Sequence, residues 1–327
     1  MLQAKKLKKI YVMKYKEKPF GLKKKKQIEA VHQVNMEIGK GEIVGLLGVN
    51  GAGKTTTIKM LTAMIAPSEG EIFIDGIDAV KDPMSAKQRV NIITGGERNI
   101  YWRLTAKENL QYFGRLYGIK EKKLDDRINE VLKVVDLINE KDVPVERFSK
   151  GMKQRLQIAR GLINDPDYLF LDEPTLGLDV IIAKEVRKYI KKLAIENGKG
   201  ILLTTHYISE AEQLCDYIYI INQGNIVASG DMVNLRKRYF VENNVEFEVE
   251  SLNDKLISNL KSYAEIEKKD IEINRNIIKV KSKKDISVDI TSIINESDCH
   301  LKRYTYIDAT LEDILVKILG DTNEKMD

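Results

Sequence analysis

Cysteine is scarce. The 327 residues include two, Cys215 and Cys299, far apart and without a Cys-x-x-Cys pair. That excludes a zinc-binding cysteine cluster and a disulfide framework, and it makes a reducing cytoplasm the expected compartment. Long apolar runs are missing too. None approaches the roughly 18–20 residues needed to span a bilayer, and the amino end is charged where a secretory signal needs an apolar core. Any membrane role is therefore expected to go through a partner. A strong excess of one charge is also lacking: 54 basic against 49 acidic side chains leave +5, too little to point to nucleic acid.

What is present suits a folded chain long enough for two domains. Apolar residues make up 43% and charged residues 31%, an ordinary globular balance. The lysines are unevenly placed. Lys5, Lys6, Lys8, Lys9 and the run Lys23-Lys24-Lys25-Lys26 crowd the amino end. This reads as a solvated edge strand and loop, with attraction to an acidic leaflet or to acidic protein loops as the sharper alternative.

Apolar strands and helices alternate along the first two thirds. Strands are expected over Ile28–Ile38, Ile43–Leu47, Glu71–Ile74 (closed by the hairpin pair Asp75-Gly76), Asn91–Thr94, Tyr168–Leu171 and Ile201–Thr204. Helices are expected over Thr55–Ile65, after Ser149 and over Ala183–Ile195. A largely parallel sheet covered on both faces follows. Residues from about 105 to 165 read as a helical insertion, broken at Gly118 and near Asp125-Asp126. Beyond about residue 240 the character changes. Val245–Glu250 alternates as a half-buried strand. A helix over Leu252–Tyr263, a hairpin around Asn274-Arg275-Asn276, a helix over Ile286–Ile294, a strand over Leu301–Ile307 and a last helix capped by Thr310 and Asp313 complete a ferredoxin-like order. The expected division is 1–240 and 241–327.

Chemistry concentrates in two short stretches. Gly48-Val49-Asn50-Gly51-Ala52-Gly53-Lys54-Thr55 lies between a strand and a helix and fits the Walker A phosphate loop. Its glycines let backbone amides, with Asn50 and Ala52 among them, turn toward phosphate oxygens without a Cβ clash. The helix start, including Thr56, adds positive dipole. Lys54 is positioned to reach the β- and γ-phosphates, and the Thr55 hydroxyl to ligate magnesium. Tyr168-Leu169-Phe170-Leu171-Asp172-Glu173 fits Walker B. Its carboxylates emerge at the carboxyl end of a buried strand, where open α/β sheets bind ligands. Asp172 is expected to hold Mg2+, and Glu173 to face a water in line with the γ-phosphate.

A third stretch narrows the class. Phe148-Ser149-Lys150-Gly151-Met152-Lys153-Gln154-Arg155, shortly before Walker B, resembles the signature of ABC transporter ATP-binding subunits, usually Leu-Ser-Gly-Gly-Gln. Ser149 and Gly151 match; Phe148, Lys150 and Met152 depart. Ser149 can cap a helix whose free amides and dipole face an anion. Residues 5–240 carry the resemblance, and the tail, especially Leu311-Glu312-Asp313-Ile314, is similar to that of drug- and sodium-export subunits of the daunorubicin-exporter type.

The resemblance implies a P-loop ATPase of α/β fold with a helical insertion and a small C-terminal α+β domain. It implies two ATP molecules clasped in a head-to-tail homodimer or heterodimer. The Ser149 helix of one subunit would meet the γ-phosphate held by the other. Asp179, in Leu176-Gly177-Leu178-Asp179, would lie at the dimer interface; His206 would contact the γ-phosphate and Tyr15 would stack on adenine. The family's magnesium-touching glutamine falls near Gly96 and is absent, so Glu97 or a water is expected to take part of its role. Glu173, His206 and Lys54 are the expected catalytic groups, ATP and Mg2+ the ligands. The expected partner is a separate multi-spanning permease at the inner face of the cell membrane, with the acidic leaflet or acidic permease loops as candidate contacts for the lysines. An exporter is favoured; an importer subunit, or a soluble ATPase acting on nucleic acid or ribosomes, is the alternative.

Overall fold

The structure is a computed structural model that describes residues 1–16, 23–94, 100–240, 243–267, 270–282, 286–307 and 309–323. The chain divides into two units, Met1–Asp231 and Met232–Asp327. The first runs β1 (Leu2–Lys16), β2 (Lys23–Ile38), β3 (Ile43–Leu47), α1 (Lys54–Leu61), β4 (Glu69–Ile74), β5 (Ile77–Asp78), α2 (Pro83–Arg89), β6 (Val90–Thr94), α3 (Ala106–Leu116), α4 (Glu121–Val134), a 3-10 turn (Val145–Arg147), α5 (Lys150–Leu162), β7 (Tyr168–Asp172), α6 (Val180–Ile195), β8 (Gly200–Thr204), α7 (Ile208–Leu214), β9 (Tyr217–Asn222) and β10 (Asn225–Gly230).

Six of these strands form one sheet in the order β10-β9-β3-β8-β7-β6, parallel except for the edge hairpin β9–β10. A strand buried on both faces must be apolar at every position, and β7 is: Tyr168, Phe170, Leu169 and Leu171 are all buried. Leu169 and Leu171 join Leu110, Ile128 and Leu156 of the helical layer in one core. Tyr168 and Phe170 join Leu2, Leu7, Met36 and Ile72 in another. That second core lies beneath an antiparallel sheet of order β2-β1-β4-β5.

Two sequence expectations change here. The amino-terminal lysine stretch does not begin as an edge strand, because β1 lies between β2 and β4. Leu2, Ala4 and Leu7 are its buried anchors, and the interleaved lysines mask them in the sequence. Nor do Asp125 and Asp126 break a helix. They sit on the exposed side of α4, whose Leu124, Ile128 and Val131 are buried at helical spacing. Gly118 does break it: with φ +74 it ends α3 in a left-handed turn.

Asp75 ties the antiparallel sheet to the foot of β7. It sits at φ +49 in the two-residue turn with Gly76, and its carboxylate accepts from the Tyr168 hydroxyl (2.8 Å) and the Met1 amino group, with Lys40 at 3.1 Å. Burial alone would raise its pKa. The hydrogen bonds from the Met1 amino group, Tyr168 and Lys40 outweigh that and pull it down to about 2. A depressed carboxyl pKa contributes stability at pH above the ordinary value and loses it as pH falls through the folded value. Asp75→Asn keeps the left-handed turn preference and removes the charge. We expect a loss of about 1–2 kcal/mol at pH 7, read as a lower urea midpoint, with the gap to wild type closing between about pH 4 and pH 2.

The second unit runs α8 (Met232–Tyr239), β11 (Asn243–Val249), α9 (Asp254–Glu267), β12 (Asp270–Asn274), β13 (Ile277–Ser282), α10 (Ser287–Glu296), β14 (Leu301–Ile307) and α11 (Leu311–Asn323). Its sheet is antiparallel in the order β12-β13-β11-β14. For a β-α-β-β-α-β run this is the ferredoxin-like arrangement. Phe247, Ile278, Leu256, Leu260, Ile290 and Ile294 fill its core. The alternate positions on β11 and its neighbours are charged and paired, as in Lys279–Glu246 (3.6 Å) and Arg303–Glu248 (3.5 Å). Thr310 and Asp313 cap α11 reciprocally. Lys317 of α11 donates to the Tyr239 carbonyl of α8 (2.8 Å).

Candidate nucleotide site

The loop from Gly48 to Gly53 joins β3 to α1 at the carboxyl end of the parallel sheet. Glycine is required at two of its positions by close approach. A Cβ on Gly48 would stand 2.0 Å from the Ile221 carbonyl oxygen, and one on Gly53, at φ +108, 2.7 Å from that of Ala30. Gly51, at φ +80, has open space around it, so backbone conformation alone selects glycine there. Asn50, Gly51, Gly53, Lys54, Thr55 and Thr56 line a cleft with Ala30, Asp172 and Glu173.

Lys54 is buried, and its ammonium donates to the carbonyls of Gly48 (2.7 Å) and Val49 (3.0 Å). Burial lowers its pKa, opposed by the carboxylates of Glu173 and Asp172. Asp172 ends β7 and accepts a short hydrogen bond from the Thr204 hydroxyl of β8. Glu173 follows with φ +56, a left-handed backbone that costs a non-glycine residue on the order of 1–3 kcal/mol and gathers at functional sites. Its amide is held by the Thr204 carbonyl (2.9 Å), and its carboxylate pairs with His206 Nε2 at 2.5 Å. Lys54, Thr55, Asp172, Glu173 and His206 therefore come together at one end of the sheet.

Ser149, Gly151 and Asp179 make a second cluster. Ser149 is the N-cap of α5 and accepts from the Met152 amide (3.2 Å); Asp179 is the N-cap of α6 and accepts from the Ile182 amide (2.9 Å). The two helix starts are neighbours, since a Cβ on Gly151 would meet the Ile182 side chain at 2.8 Å. Neither Ser149 nor Gly151 lines the phosphate cleft of its own chain. Tyr15 lies in β1, paired with Lys24, but its side chain is outside the described residues. Gly96 and Glu97 are outside them altogether.

Sequence reasoning missed two contributors. Thr204 holds both Asp172 and the Glu173 amide; the only signal for it was its place before Thr205-His206. Ala30 walls the cleft and carried no signal.

A strand–loop–helix phosphate cradle facing two carboxylates and a histidine defines a P-loop nucleoside triphosphatase. The comparisons narrow this. A family model described as ABC transporter matches residues 31–176. The chain is 45% identical over 212 residues to the ABC transporter ATP-binding protein NatA of Bacillus subtilis strain 168, covering 65% of this chain and 86% of NatA. It is 37% identical to the bacitracin transport ATP-binding protein BcrA of Bacillus licheniformis, covering 89% and 93%. To the linearmycin resistance ATP-binding protein LnrL of Bacillus subtilis strain 168 it is 33% identical, covering 98% and 99%. Among solved structures, a dimeric ATP-binding cassette in a post-hydrolysis state, bound to ADP and Pi, superposes with TM-score 0.59 at 26% identity, covering 71% of this chain and 99% of the other.

The chain belongs to the family of ABC transporter ATP-binding proteins, and it binds and hydrolyses ATP.

Proposed function

We propose that this ATPase powers a separate membrane permease for export, working as a pair of subunits at the inner face of the membrane. The observation that carries this reading is the split of the site. The phosphate cleft and the Ser149 helix start lie apart in one chain. A second copy turned head-to-tail completes each cleft with its own α5 amino end, where free amides and dipole favour the γ-phosphate. Export is supported by the relatives named for bacitracin transport and linearmycin resistance, whose alignments span 89% and 98% of this chain and so include most of its second unit.

Within the cleft, Lys54 exchanges its loop carbonyls for phosphate oxygens. Glu173, held rigid by Thr204 and His206, orients the attacking water and takes its proton. His206 and Lys54 then stabilise charge as it shifts from the γ-phosphate to the leaving group. The Thr55 hydroxyl and the Asp172 carboxylate are hard oxygen donors suited to Mg2+. With only these two side chains to hold it, such an ion would take its remaining ligands from substrate phosphates and water. When bound there, it would neutralise charge on the phosphates. Once the γ-phosphate leaves, the α5 amino end loses its anion and the pair separates. Asp179, capping α6 beside α5, links this interface to the segment that follows Glu173. Tyr15 is the residue assigned to stack on adenine.

No helix among the described residues is long and apolar enough to cross a membrane; the permease of this reading is a separate polypeptide. The test is affinity isolation of the tagged chain from detergent-solubilised native membranes. A multi-spanning protein that raises ATP turnover on reconstitution is the expected result. Isolation with ribosomes or nucleic acid instead would overturn the reading.

A further inference from the structure

The first 31 residues hold eleven lysines, no arginine and two glutamates. They carry +9 of a total of +5, so the other 296 residues are net acidic at −4. The charge is focused further by the fold. Pairing of β1 with β4 ends at Lys8↔Glu69, while β1 and β2 stay paired out to Lys16↔Lys23. Residues 11–16 and 23–28 thus form a two-stranded ribbon running beyond the sheet. Half of these twelve residues are lysine and none is acidic.

The register sets like charges against each other. In the backbone register Lys14 is paired with Lys25 and Lys16 with Lys23. Directly opposed like charges destabilise an antiparallel pair, so this pattern works against the ribbon in isolation. Apolar groups are exposed among the lysines: Val12 (53%), Met13 (56%) and Ile28 (40%), with Lys25 and Lys26 exposed beside them.

We propose that the β1–β2 ribbon binds the anionic headgroups of a lipid bilayer. Lysine is a compact charge on a flexible stem, suited to a diffuse anionic surface. Arginine, the residue for bidentate pairing with individual carboxylates on a protein partner, is absent from the ribbon. Each lysine near such a surface adds attraction that salt screens, and shallow apolar groups add burial in the headgroup layer. The proposal rests on the reading that the chain works beside a membrane, but it is a property of the chain alone.

The full-length chain, without any permease, is sedimented with vesicles of pure phosphatidylcholine or of an equal mixture of phosphatidylcholine and phosphatidylglycerol. Binding is expected to the mixed vesicles alone and to be lost in high salt. The quadruple variant K23Q/K24Q/K25Q/K26Q is expected to bind at least about tenfold more weakly, with ATP turnover and thermal midpoint unchanged. Equal binding to both vesicles, no binding to either, or a variant that binds like wild type overturns the proposal. If vesicles are ignored while the variant loses a co-purifying permease, the ribbon is a protein contact and the lipid assignment falls. The ATPase reading stands or falls separately, on turnover in the absence of vesicles.

Discussion

Replacing Glu173 by glutamine is expected to lower phosphate release by about 10³-fold, within the range that a positioned general base supplies, while ATP affinity stays within about twofold. The expectation rests on a side chain that is costly to keep where it is. Glu173 sits in the left-handed region, its amide held by Thr204 and its carboxylate against His206. Glutamine preserves the shape and the backbone anchors and removes only the capacity to take a proton. Steady-state phosphate release and equilibrium nucleotide binding separate the two effects. Turnover near wild type would mean that the water is activated elsewhere.

Lys54→Met is expected to weaken ATP binding by about 100-fold, equivalent to about 2.7 kcal/mol. The methionine keeps most of the buried stem, so packing at the start of α1 changes little. What is lost is the only ammonium lining the described cleft. It is already desolvated and aimed along the loop by the Gly48 and Val49 carbonyls, so its pairing with phosphate oxygens is charge-assisted and poorly screened. Fluorescent-nucleotide titration measures the change, with the thermal midpoint of the variant as the check on folding. Undiminished affinity would remove Lys54 from phosphate binding.

The parts of this molecule that were legible in its sequence are those where one physical rule dominates. β7 is buried on both faces, and its unbroken apolar run announces that. The phosphate loop must be glycine-rich because carbonyls of Ile221 and Ala30 crowd it. The alternation in β11 is a one-sided sheet face, and Thr310 with Asp313 closes a reciprocal cap. Where two rules compete, the sequence misleads. β1 hides three buried anchors among lysines, so charge density suggested an edge. Asp125 and Asp126 look like a break because acidic pairs favour turns, yet tertiary burial of Leu124, Ile128 and Val131 overrides that. The site itself divides in the same way. Lys54, Asp172, Glu173 and His206 could be found by motif, but the left-handed backbone of Glu173 and its dependence on Thr204 arise from β7 and β8 lying side by side. The β9–β10 hairpin drew no assignment, although its Gln223-Gly224 turn, at φ +47 and +79, is of the type that hairpins prefer.

Light scattering on the Glu173→Gln chain with saturating ATP and magnesium tests the division of the site between two copies most directly. A mass twice that of the 37.4 kDa chain, reverting on removal of nucleotide and abolished by a bulky residue in place of Ser149, is the predicted result. A particle that keeps the mass of one chain while nucleotide is bound, with or without the permease, would contradict it.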